Sequence, residues 1–277
     1  MNEYIEEVNP ETGEVNPNFI YDIGTKEPDS ESEDNETKGQ RKVAVIGNGR
    51  SIRGFPFEKL SDQMDTIGMT LAYRHWYEVD WFPDYYVNVD HVVLHHNHKD
   101  IKKMIDEDKC KKGYLLSRSI LKDCPELENN EKVLFIEMFQ RQRGNPFRYL
   151  LDWCSGSAAF LFAVILGYND INVFGIDCNY KEFIPETEQL PDGTLKITRT
   201  PIHNPNYFRD DYQREGDIYN KPNLERVHMP SWEHIVFILT GYTYLNRLPM
   251  NVYVWTTDEV VGLSKYFSKK LLNNFFS

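Results

Sequence analysis

The sequence predicts an α/β fold of the Rossmann-like type, a mostly parallel sheet with helices on both faces. Two observations support this prediction. Short apolar runs rich in β-branched residues, at 42–46 and 171–174, are typical of strands buried on both faces. These runs alternate along the chain with helical segments, an order that favours parallel strands joined by crossovers. In such a sheet, ligands bind beyond the carboxyl ends of the strands.

Local patterns place the individual elements. A first buried strand starts at Lys42 and ends in a glycine-rich turn. A helix of small apolar residues is predicted at 156–166, where Gly167 stops it, and a second helix runs from Pro230 to about Asn246. Further strands are predicted at 64–69, 84–90, 132–139, 171–177 and 251–256, the last being the final strand.

The length of 277 residues fits one main domain with an additional lobe. Residues 1–40 are acidic, and no large apolar side chain occurs between Glu27 and Gly39, so burial cannot offset the ordering entropy of this segment. We therefore expect a disordered acidic tail at 1–40 and a Rossmann-like domain at 41–277. Within that domain, residues 179–230 lack regular periodicity, and a loop of this length predicts a functional lid.

Charge and cysteine usage exclude several classes of protein. A net charge of -12 argues against a nucleic-acid partner, whereas a single diphosphate can be held by backbone N–H groups and a helix N-terminus. The four cysteines form no CxxC pair and have no histidine at metal-ligand spacing, which indicates reduced thiols. No signal-peptide pattern and no run of ~18 apolar residues occurs, so we expect a cytoplasmic protein.

A glycine motif, Gly47-Asn48-Gly49-Arg50-Ser51, follows the first predicted strand. Its glycines permit close backbone approach, and its amides can face an anion. The motif lacks the third glycine of a dinucleotide fingerprint and the Gly-Lys-Ser/Thr of a P-loop. The alternative is a turn that uses Gly and Asn for left-handed backbone geometry.

This motif resembles the opening of glycosyltransferase family 42, the bacterial lipooligosaccharide sialyltransferases. Other landmarks follow in the same order. The run CSGSAAFLFAVILGYNDINVFGID at 154–177 is similar to the family's Ser-Gly-led helix and its strand ending in Gly-Ile-Asp. His228 followed by Glu233 resembles the family's catalytic histidine and acidic residue, and NVYVWTTDEVVG resembles its last strand. The resemblance covers about residues 41–265.

The resemblance implies a single nucleotide-binding domain, a GT-A-like variant, and a set of site residues. His228 would be the general base of an inverting transfer, because an imidazole titrates in the range that this step needs, and Glu233 would orient it. Asp177 would hold the ribose, a role also suited to a carboxylate at the end of a strand. The remaining nucleotide-binding candidates are Gly47, Asn48, Gly49, Ser51, Asn88, Asp90, Ser155 and Gly156.

The sequence departs from the family where the sugar would bind. Asp152 stands where the family has an arginine for the sialic acid carboxylate, and a carboxylate would repel that donor, so the sequence leaves open a donor other than CMP-sialic acid. The family's first phosphate-binding tyrosine falls at Asn179. Its role would pass to a neighbouring tyrosine, and the candidates are Tyr180, Tyr207, Tyr212 and Tyr219.

Four histidines at 91, 95, 96 and 98 form the densest group of metal-ligating side chains. They lack a carboxylate partner at helical spacing, so we predict a polar loop here rather than a metal site. Asp90 is suited to bind either a ribose or a divalent ion. The family is metal-independent, and we expect no required cofactor.

The leading hypothesis is a glycosyltransferase of glycan biosynthesis, whose partners are a nucleotide-sugar donor and a glycan acceptor. Two alternatives stay open. One is an enzyme like the archaeal pterin diphosphokinases, which share the glycine motif and would need ATP and a carboxylate pair holding Mg²⁺, such as Asp90 with Asp177. The other is a non-catalytic nucleotide- or glycan-binding module. The donor, the acceptor and homo-oligomerisation are left open by the sequence.

Overall fold

The computed structural model describes residues 40–141, 153–246 and 250–276. These residues form a large sheet in which every neighbouring pair of strands is parallel, as the sequence predicted. In chain order the strands are β1 (Lys42–Ile46), β2 (Asp65–Met69), β3 (Tyr85–Asn88), β4 (Gly113–Leu116), β5 (Val133–Phe135), β6 (Asp170–Phe174), the three short strands β7 (Thr187–Gln189), β8 (Leu195–Ile197) and β9 (Ile218–Tyr219), then β10 (Asn251–Thr256) and β11 (Ser268–Leu271). The short strands make a separate antiparallel sheet.

Helices cover both faces of the large sheet. They are α1 (Tyr73–Val79), α2 (His91–Asp106), α3 (Ile136–Arg141), α4 (Ser155–Ile165) and α5 (Met229–Asn246), the last preceded by a π-helical turn, Leu224–His228. Among the described residues, no helix combines the length and the apolar character that crossing a membrane would require.

The two sides of β1 belong to two hydrophobic cores. Because successive side chains of a strand point to opposite faces, Val43 and Val45 pack with α4 and α5, whereas Ala44 and Ile46 pack with α1 and α2. All four side chains are buried. This two-sided burial explains why the strand is a continuous apolar run instead of an alternating one.

Helix α4 lies in the centre of one core. Ten of its residues, Ser155 to Val164, are buried, and Phe160 packs edge-on against Trp232 of α5 with ring centroids 5.6 Å apart. A helix that is apolar on every side must be covered on every side. Gly167 ends the segment with a φ of 80°, a left-handed value that favours glycine. The predicted helix at 156–166 is therefore confirmed.

The order of strands in the sheet is β11-β10-β6-β1-β2-β3-β4-β5. The chain winds outward from β1 through β2 to β5, then returns to the other side of β1 with β6. The gap between the carboxyl ends of β1 and β6 is therefore the topological switch point, where doubly wound sheets bind ligands.

The structure differs from the sequence predictions at several elements. The histidine group lies on α2 and not in a loop, because Asp90 accepts hydrogen bonds from the amides of Val92 and Val93 and starts the helix. The predicted strand at 132–139 stops at Phe135, where α3 begins. The sequence analysis missed β4, which is only four residues long, and β11, which follows the predicted final strand.

The predicted lid at 179–230 is packed into the core. It contains the antiparallel sheet, and six of its side chains join the core formed with α1 and α2: Ile184, Leu195, Ile197, Phe208, Tyr212 and Tyr219. Arg74 of α1 makes two hydrogen bonds to Asp217, at 2.6 and 2.8 Å, and these side chains are only 11% and 12% exposed. Residues 179–230 thus form a docked lobe, called the lobe below. The predicted tail at 1–40 lies outside the described residues except for Gln40.

Arg74→Ala is expected to lower the free energy of unfolding by about 3–5 kcal/mol, because it leaves the buried carboxylate of Asp217 unpaired. The matched control is Arg53→Ala, since Arg53 pairs with Asp210 of the lobe but these side chains are 41% and 33% exposed. That control is expected to cost less than about 1 kcal/mol. Urea denaturation measures both values. Equal losses would contradict the burial of the Arg74 anchor.

Candidate functional site

Two backbone turns meet at the switch point. The amide of Gly47 donates to the carbonyl of Phe174 at 2.8 Å, and that of Gly49 to the carbonyl of Gly175 at 2.7 Å. A Cβ atom added at Gly47 would lie 2.4 Å from the Gly175 oxygen, and one added at Gly49 would lie 2.5 Å from the Asp177 carboxyl carbon. The glycines are therefore required for close packing between turns.

This packing corrects two expectations about the glycine motif. The amides of Gly47 and Gly49 are used within the protein, so they do not face an anion. Gly49 has a φ of −67° and a ψ of 160°, which any residue adopts, so left-handed geometry is not the reason for this glycine.

Asp177 fastens the end of the glycine motif. Its carboxylate accepts hydrogen bonds from the hydroxyl of Ser51 and, at 2.9 Å, from the amide of Ser51. The residue is 4% exposed, and this burial raises the pKa of its carboxyl, while the hydrogen bonds from Ser51 oppose the shift. A ribose would have to share these oxygens with Ser51, and the predicted ribose contact stays a prediction.

Asn48 offers an unused acceptor. Its side-chain amide donates to the hydroxyl of Thr70 at 2.6 Å, but its Oδ1 is buried and has no hydrogen-bond partner among the described residues. Asn48 is 7% exposed. A buried acceptor without a partner is costly, and a ligand hydroxyl or amine that donated to it would remove that cost.

A chain of hydrogen bonds connects Asn48 to Asn88 at the carboxyl end of β3. Tyr86 donates its hydroxyl hydrogen to the carbonyl of Thr70 at 2.9 Å, and the amide of Asn88 donates to the Tyr86 oxygen at 3.1 Å. Asn88 is fully buried. The hydroxyl oxygen of Ser155 accepts from the amide of Val89, which follows β3, at 3.3 Å. These contacts join β1, β2, β3 and the start of α4 at one edge.

The Ser-Gly pair that starts α4 lies against the turn after β6. A Cβ atom added at Gly156 would come 3.3 Å from the Cδ1 atom of Ile176. The structure therefore brings the start of α4 close to the Gly175–Asp177 turn, and the predicted phosphate contact of Ser155 and Gly156 stays a prediction. Because this is the N-terminus of an eleven-residue helix, its dipole favours a negative group there.

Asp90 has a structural role besides the predicted one. Its Oδ1 accepts from the amides of Val92 and Val93 at 2.9 and 3.1 Å, and from the side chain of Asn220 in the lobe at 2.9 Å. The histidines of α2 are on its outer side, where His95 pairs with Asp123 at 2.8 Å. In the described ranges, no cluster of three or more His, Cys, Asp or Glu side chains is arranged to hold a metal ion.

Three of the predicted tyrosines, Tyr180, Tyr207 and Tyr212, form an aromatic cluster beside the glycine motif. Tyr207 stacks on Tyr212 with ring centroids 4.1 Å apart, and Tyr180 lies 6.1 Å from Tyr207. Tyr207 makes a β-bridge to Gly49. The hydroxyl of Tyr212 is already bonded to Thr70 at 2.7 Å, so Tyr180 and Tyr207 are the better candidates for contact with a donor.

His228 lies at the end of the π-helical turn, with its ring 5.1 Å from the ring of Tyr180. It lies near Cys154, the residue that caps α4, and the thiol acts on the pKa of the imidazole. The Cys154 sulfur also lies 3.5 Å from the hydroxyl oxygen of Ser157 and 3.7 Å from that of Ser231. The thiol therefore has three polar neighbours.

The pKa values of Cys154 and His228 move in opposite directions. Burial raises the pKa of the Cys154 thiol, but the hydrogen bond and charge of His228 and the hydrogen bonds of Ser157 lower it to about 6. Burial lowers the pKa of His228, but Cys154 and the charge of Asp90 raise it above the ordinary 6.5. Each of the two groups therefore favours the charged form of the other.

The structure gives Glu233 another partner. The Tyr266 hydroxyl donates to the Glu233 carboxylate at 2.9 Å, and the groups that act on the His228 ring are Cys154, Tyr180 and Asp90. The sequence analysis did not single out Cys154. The available signal was a cysteine directly before a Ser-Gly helix start in a chain that also has a candidate histidine. Asp152, which stands at the family's arginine position, lies outside the described residues.

Comparison with known proteins finds similarity in structure alone. No protein-family model and no curated protein matches the chain. The sialyltransferase CstII from Campylobacter jejuni, with the substrate analogue CMP-3FNeuAc, is 14% identical with a TM-score of 0.49, over 84% of this chain and 88% of that one. An apo alpha-2,3-sialyltransferase from the same organism is 14% identical with a TM-score of 0.44, over 87% and 84%. MAf glycosyltransferase from Magnetospirillum magneticum AMB-1 is 15% identical with a TM-score of 0.42, over 79% of this chain and 32% of that one.

Gly47→Ala is expected to lower the free energy of unfolding by at least about 1–3 kcal/mol, because the new methyl group would collide with backbone atoms that cannot rotate away. Gly156→Ala is the matched control, since its nearest neighbour is the flexible tip of Ile176 and alanine is favoured over glycine in a helix. The control is expected to stay within about 1 kcal/mol of the parent protein. Chemical denaturation compares the two. A neutral Gly47→Ala would contradict the close packing of the two turns.

Proposed function

We propose that this protein is a glycosyltransferase that moves a sugar from a nucleotide-sugar donor to a glycan acceptor. The observation that carries the proposal is the convergence of Asn48, Asn88, Ser155 and His228 at one sheet edge, although these residues come from four distant parts of the chain. The edge is the switch point at which this type of fold binds nucleotides.

The nucleotide would lie across the ends of β1, β3 and α4. The unpartnered Oδ1 of Asn48 would accept a hydrogen bond from a ribose hydroxyl or a base amine. The phosphates would lie at the N-terminus of α4, where the helix dipole and the first amides favour negative charge. The net charge of -12 does not oppose this arrangement, since a few backbone N–H groups and a helix N-terminus are enough to hold one diphosphate.

The sugar would be transferred by direct displacement. The acceptor oxygen forms a bond to the anomeric carbon while the bond from that carbon to the phosphate oxygen breaks, and the nucleotide leaves with the electron pair. His228 would take the proton of the acceptor hydroxyl. The imidazole would accept this proton in its neutral form, and it would then release the proton to water.

The carboxylates favour this proposal over the diphosphokinase alternative. That reaction needs a carboxylate pair on Mg²⁺, but Asp177 is bound to Ser51 and Asp90 caps α2. A purely binding module has no use for a histidine and a thiol that shift the pKa values of each other. Titration with CMP-, UDP- and GDP-sugars, with and without Mg²⁺ or Mn²⁺, tests the proposal and identifies the donor nucleotide.

Asn48→Ala is expected to weaken binding of that nucleotide by about 1–3 kcal/mol, because the ligand donor loses its acceptor. The matched control is Asn172→Ala, since Asn172 is a buried asparagine of β6 that bonds to Trp255 at 2.8 Å and to Asp170. Calorimetry at one temperature compares the affinities. If both variants fold and bind the nucleotide as tightly as the parent protein, Asn48 does not contact the nucleotide.

His228→Ala is expected to reduce kcat by about 10²–10⁴-fold with little change in donor affinity. Because a protonated imidazole cannot accept a proton and the pKa of His228 is raised, the acidic limb of the parent kcat profile should lie above pH 6.5 and vanish in the variant. His203→Ala is the control, since His203 is an exposed residue of the lobe that pairs with Arg50. Retained turnover in His228→Ala would make His203 the next candidate for the base.

A further inference from the structure

We propose that Phe183, Lys221 and Glu182 form a subsite for a neutral sugar ring of the acceptor glycan, called the sugar subsite below. This inference rests on the proposed function and deepens it, because it gives the acceptor a location and a chemical class. All three residues belong to the lobe, and none of them is among the site residues that the resemblance implies.

The backbone on both sides of the Phe183 ring is anchored, although the residue itself is 50% exposed. The amide of Lys181 donates to the side-chain oxygen of Asn206 at 2.7 Å, and the side-chain amide of Asn206 donates back to the carbonyl of Lys181 at 2.8 Å. Ile184 is buried in the core formed with α1 and α2. The ring is therefore presented to solvent by a fixed segment of the lobe.

A second segment brings an ion pair to this ring. The ammonium of Lys221 lies 4.5 Å from the centroid of the Phe183 ring, where the negative face of the ring attracts it. The same ammonium lies 2.8 Å from the carboxylate of Glu182, and the two charged side chains are 37% and 52% exposed. The result is an exposed aromatic surface bordered by one hydrogen-bond donor and one acceptor.

Both segments also reach the candidate functional site. The ring of Tyr180 lies 5.1 Å from that of His228, and the phenylalanine follows three residues later, at most about 11 Å of extended chain. On the other segment, the side chain of Asn220 donates to Asp90 at 2.9 Å, and the lysine is the next residue. The sugar subsite therefore lies at the edge of the proposed site, on the side where the lobe meets the candidate base.

The chemistry of the three side chains fits a pyranose ring. A pyranose has C–H groups on one face, and these pack on an aromatic ring because its face is negative and the C–H hydrogens are slightly positive. Its hydroxyl groups both donate and accept, so they match the carboxylate of Glu182 and the ammonium of Lys221. The ion pair has no net charge, so we infer a neutral sugar and not a sugar acid.

The size of this surface favours a sugar over a protein partner. A stable protein interface covers about 800 Å² on each partner, whereas the sugar subsite consists of one ring and one ion pair. Single exposed apolar residues are common on protein surfaces. Phe183 differs from these because its backbone is anchored on both sides and an ion pair from two segments borders its ring.

Saturation-transfer difference NMR tests the sugar subsite with methyl β-glycosides of galactose, glucose and N-acetylglucosamine, without any nucleotide. We expect the parent protein to bind at least one of them, with the strongest signals from the C–H protons of one sugar face. Phe183→Ala is expected to weaken this binding by roughly 3–10-fold, the effect of losing one aromatic contact. Phe183→Trp should retain it, because the larger ring keeps a flat apolar surface.

Ile202→Ala is the matched control, since Ile202 is an apolar residue of the lobe that is 82% exposed. This variant should bind the glycosides as the parent protein does. Methyl β-glucuronide should bind no more tightly than methyl β-glucoside, because the ion pair is neutral overall. The proposal is overturned if the parent protein binds none of the three glycosides, if Phe183→Ala binds them equally well, or if the glucuronide binds more tightly.

The outcome can be separated from that of the proposed function, because the titration with nucleotide sugars is an independent measurement. Nucleotide binding without glycoside binding would overturn the sugar subsite alone. Glycoside binding that depends on Phe183, without nucleotide binding, would remove the transferase and leave a glycan-binding module that uses the same subsite.

Discussion

The contact between the turns after β1 and β6 is the constraint on which the rest of the site depends. Gly47 and Gly49 hydrogen-bond to Phe174 and Gly175 without space for a Cβ atom, so backbone hydrogen bonds hold the two strand ends close together. The side chain of Asp177 adds hydrogen bonds from Ser51. Gly47, Gly49 and Asp177, which the sequence analysis assigns to nucleotide binding, therefore also fix the positions of the two turns.

The lobe is also attached to this edge of the sheet by backbone contacts. The lobe is a part of the α1 and α2 core, and it reaches the glycine motif through the β-bridge between Gly49 and Tyr207. The amide of Phe208 donates to the carbonyl of Asn48 at 3.0 Å. Buried apolar contacts and a buried ion pair cost more to break than surface contacts do.

Electrostatics give the edge its chemical character. A positive imidazole nearby favours the thiolate and lowers the pKa of Cys154 to about 6. A negative thiolate nearby favours the imidazolium and raises the pKa of His228.

The sequence by itself determined the class of fold, the buried strands β1 and β6, the helix α4 and the location of the glycine motif, because each depends on local composition and periodicity. Short elements such as β4 were missed, since four residues carry little pattern. The tertiary structure decided which polar groups are already occupied by distant partners: Asp177 by Ser51, and Asp90 by Asn220 of the lobe. Such partners lie far apart along the chain, and only packing brings them within hydrogen-bond distance.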